Sequence, residues 1–195
     1  YALPSEPRHC VPSTRLGLQF TEKMRGFIST RVTDDYHHAA AEGEAHQSPC
    51  EFTLTIISDD LDHLLSDPGH PATMVGTVTA PALSPNPMTI SNGIFQLFTE
   101  DPEHVSTRRM NYRMNLVSEE GRSYFLEGFK SVHDDRGFDL WADTTTLFIA
   151  FYNGTDATAS LIAKGVLTIS PTDFMRQMTT LKILNSKSPV ERLAA

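Results

Sequence analysis

Four side chains in the middle of this sequence could work on a bound molecule: Tyr112 and Arg113 in TRRMNYRMNLV, Lys130 in GFKSV and Asp143 in FDLWADTTTLF. A phenol, a guanidinium and an ammonium are all hydrogen-bond donors, able to hold a carbonyl oxygen as it gains charge. A carboxylate beside them can act as a base or orient a donor. Lys130 and Asp143 both fall inside strand-like runs, where a charge turned inward is costly unless it is paired. Apolar surface to fix a carbon skeleton is nearby in Met110, Met114, Phe129, Trp141 and Phe148, with Thr146 adding a hydroxyl.

The stretch GFKSVHDDRGFDLWADTTTLF, residues 128 to 148, divides into strand, turn and strand. Asp134-Asp135-Arg136-Gly137 has turn chemistry, because aspartate side chains bond the local backbone and glycine tolerates the dihedrals required. Parity leaves two readings of the following strand. With Trp141, Asp143, Thr145 and Leu147 inward, a barrel wall carries a carboxylate beside an aromatic surface. With Leu140, Ala142, Thr144, Thr146 and Phe148 inward, Asp143 is a solvated partner of Lys130 or Arg113. The strand from Thr107 is plainer: Met110, Tyr112, Met114 and Leu116 share one dry face, an adaptable wall with a single hydroxyl, suited to a hydrophobic small molecule or to ordinary core packing.

These residues must be positioned by strands. CEFTLTII, ATMVGTVTA, MTISNGIFQLF, RSYFLEGFKSV and ASLIAKGVLTI repeat the period-two pattern and are rich in β-branched and aromatic residues. Short turn-forming clusters separate them, which makes consecutive strands antiparallel neighbours. Six strands fall between Ala72 and Ile169, and with Arg15 to Val32 and Cys50 to Ile57 the count is about eight. The expected fold is all-β, an up-and-down lipocalin-like barrel, with a β-sandwich as the alternative, since closure removes exposed edges most simply. Short helices are predicted over Asp59–Ser66, with Ser58 as a cap, and from Pro171. The chain reads as a single domain over residues 1–195, with an N-terminal arm at 1–14, a mobile loop at 34–49 and a frayed tail at 186–195.

A net charge of −8 and scattered Lys and Arg residues lack the basic stripe that phosphate neutralisation needs, so nucleic acid is not an expected partner. No apolar run approaches the roughly 20 residues of a membrane-spanning helix. Signatures for nucleotide cofactors, elbow-type serine hydrolysis and zincin chemistry are all missing from the sequence, and His37, His38 and His46 have no metal-ligand spacing, so neither cofactor nor metal is expected. The chain begins at Tyr1 without an initiator Met, which suggests removal of a leader or of a larger upstream part. Two cysteines, Cys10 and Cys50, and the sequon at Asn153 point the same way, to secretion. A Cys10–Cys50 disulfide would close a loop of some forty residues, a constraint of about 3–4 kcal/mol in the chain-entropy treatment.

FTEKMRGFIS, HPATMVGTVTAPALSPNPMTISNGIFQLF, YFLEGFKSVHDDRGFDLWADTTTLF and KGVLTISPTDFMRQMTTLKILN together resemble an all-β module of bacterial fusion proteins that also carry a GMC-type, cholesterol-oxidase-like flavin oxidoreductase and an α/β-hydrolase. The likeness runs over about residues 18 to 185. It implies an association with sterol-like or terpenoid chemistry but no flavin site in this chain. By architecture the chain is also similar to small fungal barrel pericyclases such as hetero-Diels–Alderases.

The resulting expectation is a cofactor-free enzyme that encloses a hydrophobic, oxygenated natural product and accelerates cyclisation, isomerisation or cycloaddition, with Tyr112, Lys130 or Arg113 as donors and Asp143 as base or orienter. The alternative is a non-catalytic binding module. Beyond the small molecule, the partners considered are a second copy of the chain or an oxidoreductase.

Overall fold

The computed structural model describes residues 15–67, 69, 71–101, 107–133 and 145–186. Cys10, Trp141 and Asp143, together with the arm at 1–14 and the tail from residue 187, lie outside them. Eight strands run up and down in chain order: β1 (Gly17–Ser29), β2 (Pro49–Ser58), β3 (Pro71–Thr79), β4 (Met88–Glu100), β5 (Thr107–Val117), β6 (Ser123–His133), β7 (Thr146–Asn153) and β8 (Ser160–Thr168). Each pairs antiparallel with the next, and β1 pairs with both β2 and β8, which closes the barrel. The barrel expectation is met and the sandwich is not.

Alternation dictates what fills the interior. Phe52, Leu54 and Ile56 of β2, Tyr112, Met114 and Leu116 of β5, and Leu147, Ile149 and Phe151 of β7 are almost completely buried. Cys50 belongs to the same inner face, its thiol free and 1% exposed. Burial away from water disfavours the thiolate and pushes that thiol up to about 12. The β1–β8 seam needs glycine: a Cβ on Gly165 would stand 2.1 Å from the Phe27 carbonyl oxygen.

The seam covers only part of β1. β8 follows it over Arg25–Ser29, whereas Gly17–Gln19 pairs with a short ninth strand, β9 (Lys182–Leu184). The link between β8 and β9 is a helix, Pro171–Thr180, which packs against β1 and here becomes α3 after α1 (Tyr36–Ala45) and α2 (Leu61–Ser66). Its start is well specified. Ser170 caps it by accepting from the Asp173 N–H at 3.1 Å, and Pro171 sits in the first turn. The Ser170 hydroxyl, and then Arg25 and Arg176, hold the Asp173 carboxyl below its ordinary range. Arg25 bonds Asp173 at 3.0 Å, and the Thr21 N–H donates to Thr180 Oγ1 at 2.8 Å, so both ends of α3 are tied to β1.

Two expectations are corrected. The segment expected as a mobile loop, 34–49, contains α1, capped by Asp35 accepting from the His38 N–H at 2.9 Å. Its buried face is made of Ala39 and Gly43; a Cβ on Gly43 would meet the Ile28 carbonyl oxygen at 2.2 Å, so the helix lies directly on the β1 backbone. A helix docked through small residues carries almost no hydrophobic periodicity. The second correction is the cap of α2: Asp60, not Ser58, accepts from the His63 N–H at 3.1 Å, while the Ser58 hydroxyl donates to the Asp60 carbonyl.

Candidate functional site

Inside the wall, three polar side chains meet in otherwise apolar surroundings. β1 places Leu18, Phe20, Glu22 and Met24 on one parity, so a carboxylate occupies a position that the pattern reserves for an apolar residue. On β6 the same holds for Lys130, which shares a face with Leu126 and Val132. Glu22 and Lys130 are each 2% exposed and form an ion pair through Glu22 Oε1. The other carboxylate oxygen, Oε2, accepts from the Tyr112 hydroxyl at 2.9 Å. Lys130 Nζ also stands 5.4 Å from the centre of the Tyr112 ring. The carboxylate thus has one partner on each oxygen. The ammonium has a single acceptor among the described residues, which leaves two of its three protons without one.

Burial first, and then the neighbouring charge of Glu22 and the bond to it, raise Tyr112 well above the ordinary phenol value of 10.0. Tyr112 therefore stays neutral in the fold and titrates near 10 once unfolded. Below pH 10 both states keep the proton; above it only the folded state does, so stability is lost as pH rises from 10 toward the folded value, by about 1.4 kcal/mol per pH unit. An alkaline titration followed by tyrosinate absorbance should show one tyrosine ionising only with unfolding. Tyr112→Phe should abolish that step and cost about 1.5–3 kcal/mol, because Glu22 loses a charge-assisted bond.

This network forms the floor of a half-open cavity of about 280 Å³. Its wall is apolar: Phe20 from β1, Phe95 and Leu97 from β4, and Met110 from β5, which pairs directly with Lys130 across the sheet. Phe95 packs its edge on Tyr112 with ring centres 5.1 Å apart. Its roof is α3, which contributes Phe174, Gln177 and Met178. Next to Leu97, Phe98 has φ +56° within a β-bulge, a left-handed conformation that a bulky residue adopts only under tertiary constraint. Strained positions of this kind collect at binding and catalytic sites.

Of the residues singled out in the sequence, Tyr112, Lys130 and Met110 come together here. Met114 is interior but is not part of the cavity lining. Arg113 is not in the site: strand alternation turns it outward, where it pairs with Glu127 at 3.1 Å. Phe129 and Phe148 are also on the outer face, 5.2 Å apart, where they receive Tyr36 of α1 with Arg109 stacked on Phe129. Thr146 shares the Phe148 face. Glu22 was missed altogether, although the Leu-x-Phe-x-Glu-x-Met parity carries its signal. Asn153 is exposed at the end of β7, at the opposite end of the barrel from the cavity. Among the described residues no three His, Cys, Asp or Glu side chains gather as a metal site, and no helix is long and apolar enough to cross a membrane.

The protein is thus an eight-stranded up-and-down barrel with an apolar cavity floored by a buried ion pair. Comparisons with family models, curated proteins and solved structures each find no match to this chain.

Proposed function

We propose that the cavity takes a hydrophobic, oxygenated small molecule and promotes, without a cofactor, a cyclisation, isomerisation or cycloaddition in which charge develops on a carbonyl oxygen. The observation that carries this reading is Lys130: a buried ammonium with protons to spare, fixed by Glu22 at the end of an apolar cavity. A donor held there needs no reorganisation when an oxyanion forms, and one such donor contributes about 10²–10³ in rate. Orientation by Phe20, Phe95 and Met110 supplies the rest, since positioning alone can contribute up to about 7–11 kcal/mol. Glu22 acts as anchor for Lys130 and not as base, because each of its oxygens already has a protein partner.

The volume narrows the substrate. At about 280 Å³ it lies at the lower edge of ligand pockets, which run to about 1,000 Å³. A compact terpenoid- or polyketide-sized skeleton suits it better than a whole sterol. A non-catalytic binding module is the second reading, favoured by the internal satisfaction of Glu22 and Tyr112, which leaves the network stable without a reaction.

Incubating the protein with a panel of terpenoid and polyketide enones, with product followed by chromatography, separates the two. Turnover that Lys130→Met reduces about 100-fold or more supports the enzyme. Tight binding with every ligand recovered unchanged supports the binding module.

A further inference from the structure

The cavity carries a second polar feature that the Glu22–Lys130–Tyr112 network does not use. Gln177 projects from the roof helix α3 and lines the cavity; its Oε1 is fully buried and accepts no hydrogen bond among the described residues. An amide oxygen withdrawn from water with no donor costs about 1–3 kcal/mol, so the fold carries a penalty that a bound donor would remove. Opposite in chemistry is Lys130, whose surplus protons call for an acceptor.

Charge balance adds a constraint. Glu22 and Lys130 neutralise each other, both 2% exposed, and Tyr112 brings no charge. A carboxylate entering this cavity would place an uncompensated anion beside Glu22, and an amine would place a cation beside Lys130; either would be buried without its own counter-ion. Resting on the cavity reading proposed above, we infer that the site selects an uncharged ligand bearing both a carbonyl oxygen and a separate hydroxyl, the carbonyl accepting from Lys130 and the hydroxyl donating to Gln177. Fatty acids and other ionised amphiphiles are excluded by the same arrangement. The donor comes from a barrel strand and the acceptor from α3, so the ligand bridges floor and roof.

Calorimetric titration of the full chain at pH 7 tests this with 2-decanone, its derivatives hydroxylated at carbons 4 to 8, and decanoate. At least one hydroxyketone should bind about tenfold more tightly than 2-decanone, the gain of one buried hydrogen bond, and decanoate about tenfold or more weakly. In Gln177→Met the ratio between the best hydroxyketone and 2-decanone should fall to within about twofold, whatever the change in 2-decanone affinity itself. Decanoate binding as tightly as 2-decanone overturns the inference, and so does a hydroxyl advantage that is missing or that survives Gln177→Met. Binding of 2-decanone without discrimination would leave the cavity reading standing and remove only this one; failure of all the ligands to bind removes both.

Discussion

Lys130→Met should destabilise the protein by about 3–5 kcal/mol, since it strands Glu22 as an unpaired carboxylate in an apolar interior. For a chain of this size each kcal/mol shifts the melting temperature by about 2–4 °C, so a fall of about 6–20 °C is expected. The double variant Glu22→Gln/Lys130→Met removes both charges and should recover most of that loss, because two neutral side chains of similar volume incur no ionic desolvation. With Glu22→Gln measured alone as well, the departure of the double variant from the sum of the two singles gives the coupling of the buried pair. If Lys130→Met alone costs less than about 1 kcal/mol, Lys130 is solvated and the floor of the cavity is not as described.

Phe95→Ala is expected to cost about 3–5 kcal/mol through lost burial and the void left behind. Phe95 is 2% exposed and packs edge-on against both Tyr112 and Phe20, at 5.1 and 6.4 Å. Unlike an ordinary core truncation, this one opens into an existing cavity, so the removed ring volume joins the ligand space. The same variant should therefore shift ligand preference toward bulkier skeletons, visible as tighter binding of a ketone two to four carbons longer and weaker binding of 2-decanone. Destabilisation without any shift in preference would mean that Phe95 packs the core and does not bound the site.

The sequence was legible where one rule governed it. In TRRMNYRMNLV the alternation is unbroken, and Met110 and Tyr112 face inward as the pattern requires. Hairpin-length connectors and strand lengths favoured closure, and the strand order is sequential around the barrel. Legibility failed where two effects compete. Lys130 stands out as a charge that needs a partner if it turns inward, but Glu22, in a strand far away in the chain, alone reads as a surface charge, and only the fold shows that the two satisfy one another. Phe129 and Phe148 were misassigned because a large aromatic residue on a strand suggests an interior, whereas on the outer wall they pack against Tyr36 of α1, which leaves them half-buried. That helix was itself hidden, since Ala39 and Gly43 dock it by small size and not by apolar bulk.

The central claim is that a buried, Glu22-anchored Lys130 ammonium donates to a ligand carbonyl inside the barrel mouth. The most direct measurement is the carbon-13 chemical shift of carbonyl-labelled 2-decanone in the presence of the protein. A carbonyl that accepts from Lys130 in an apolar cavity should give a bound signal displaced downfield of the ketone in hydrocarbon solvent, and Glu22→Gln/Lys130→Met should return it to the hydrocarbon value. A bound signal at the hydrocarbon position in the wild-type protein, or a displacement that persists in the double variant, would contradict the account.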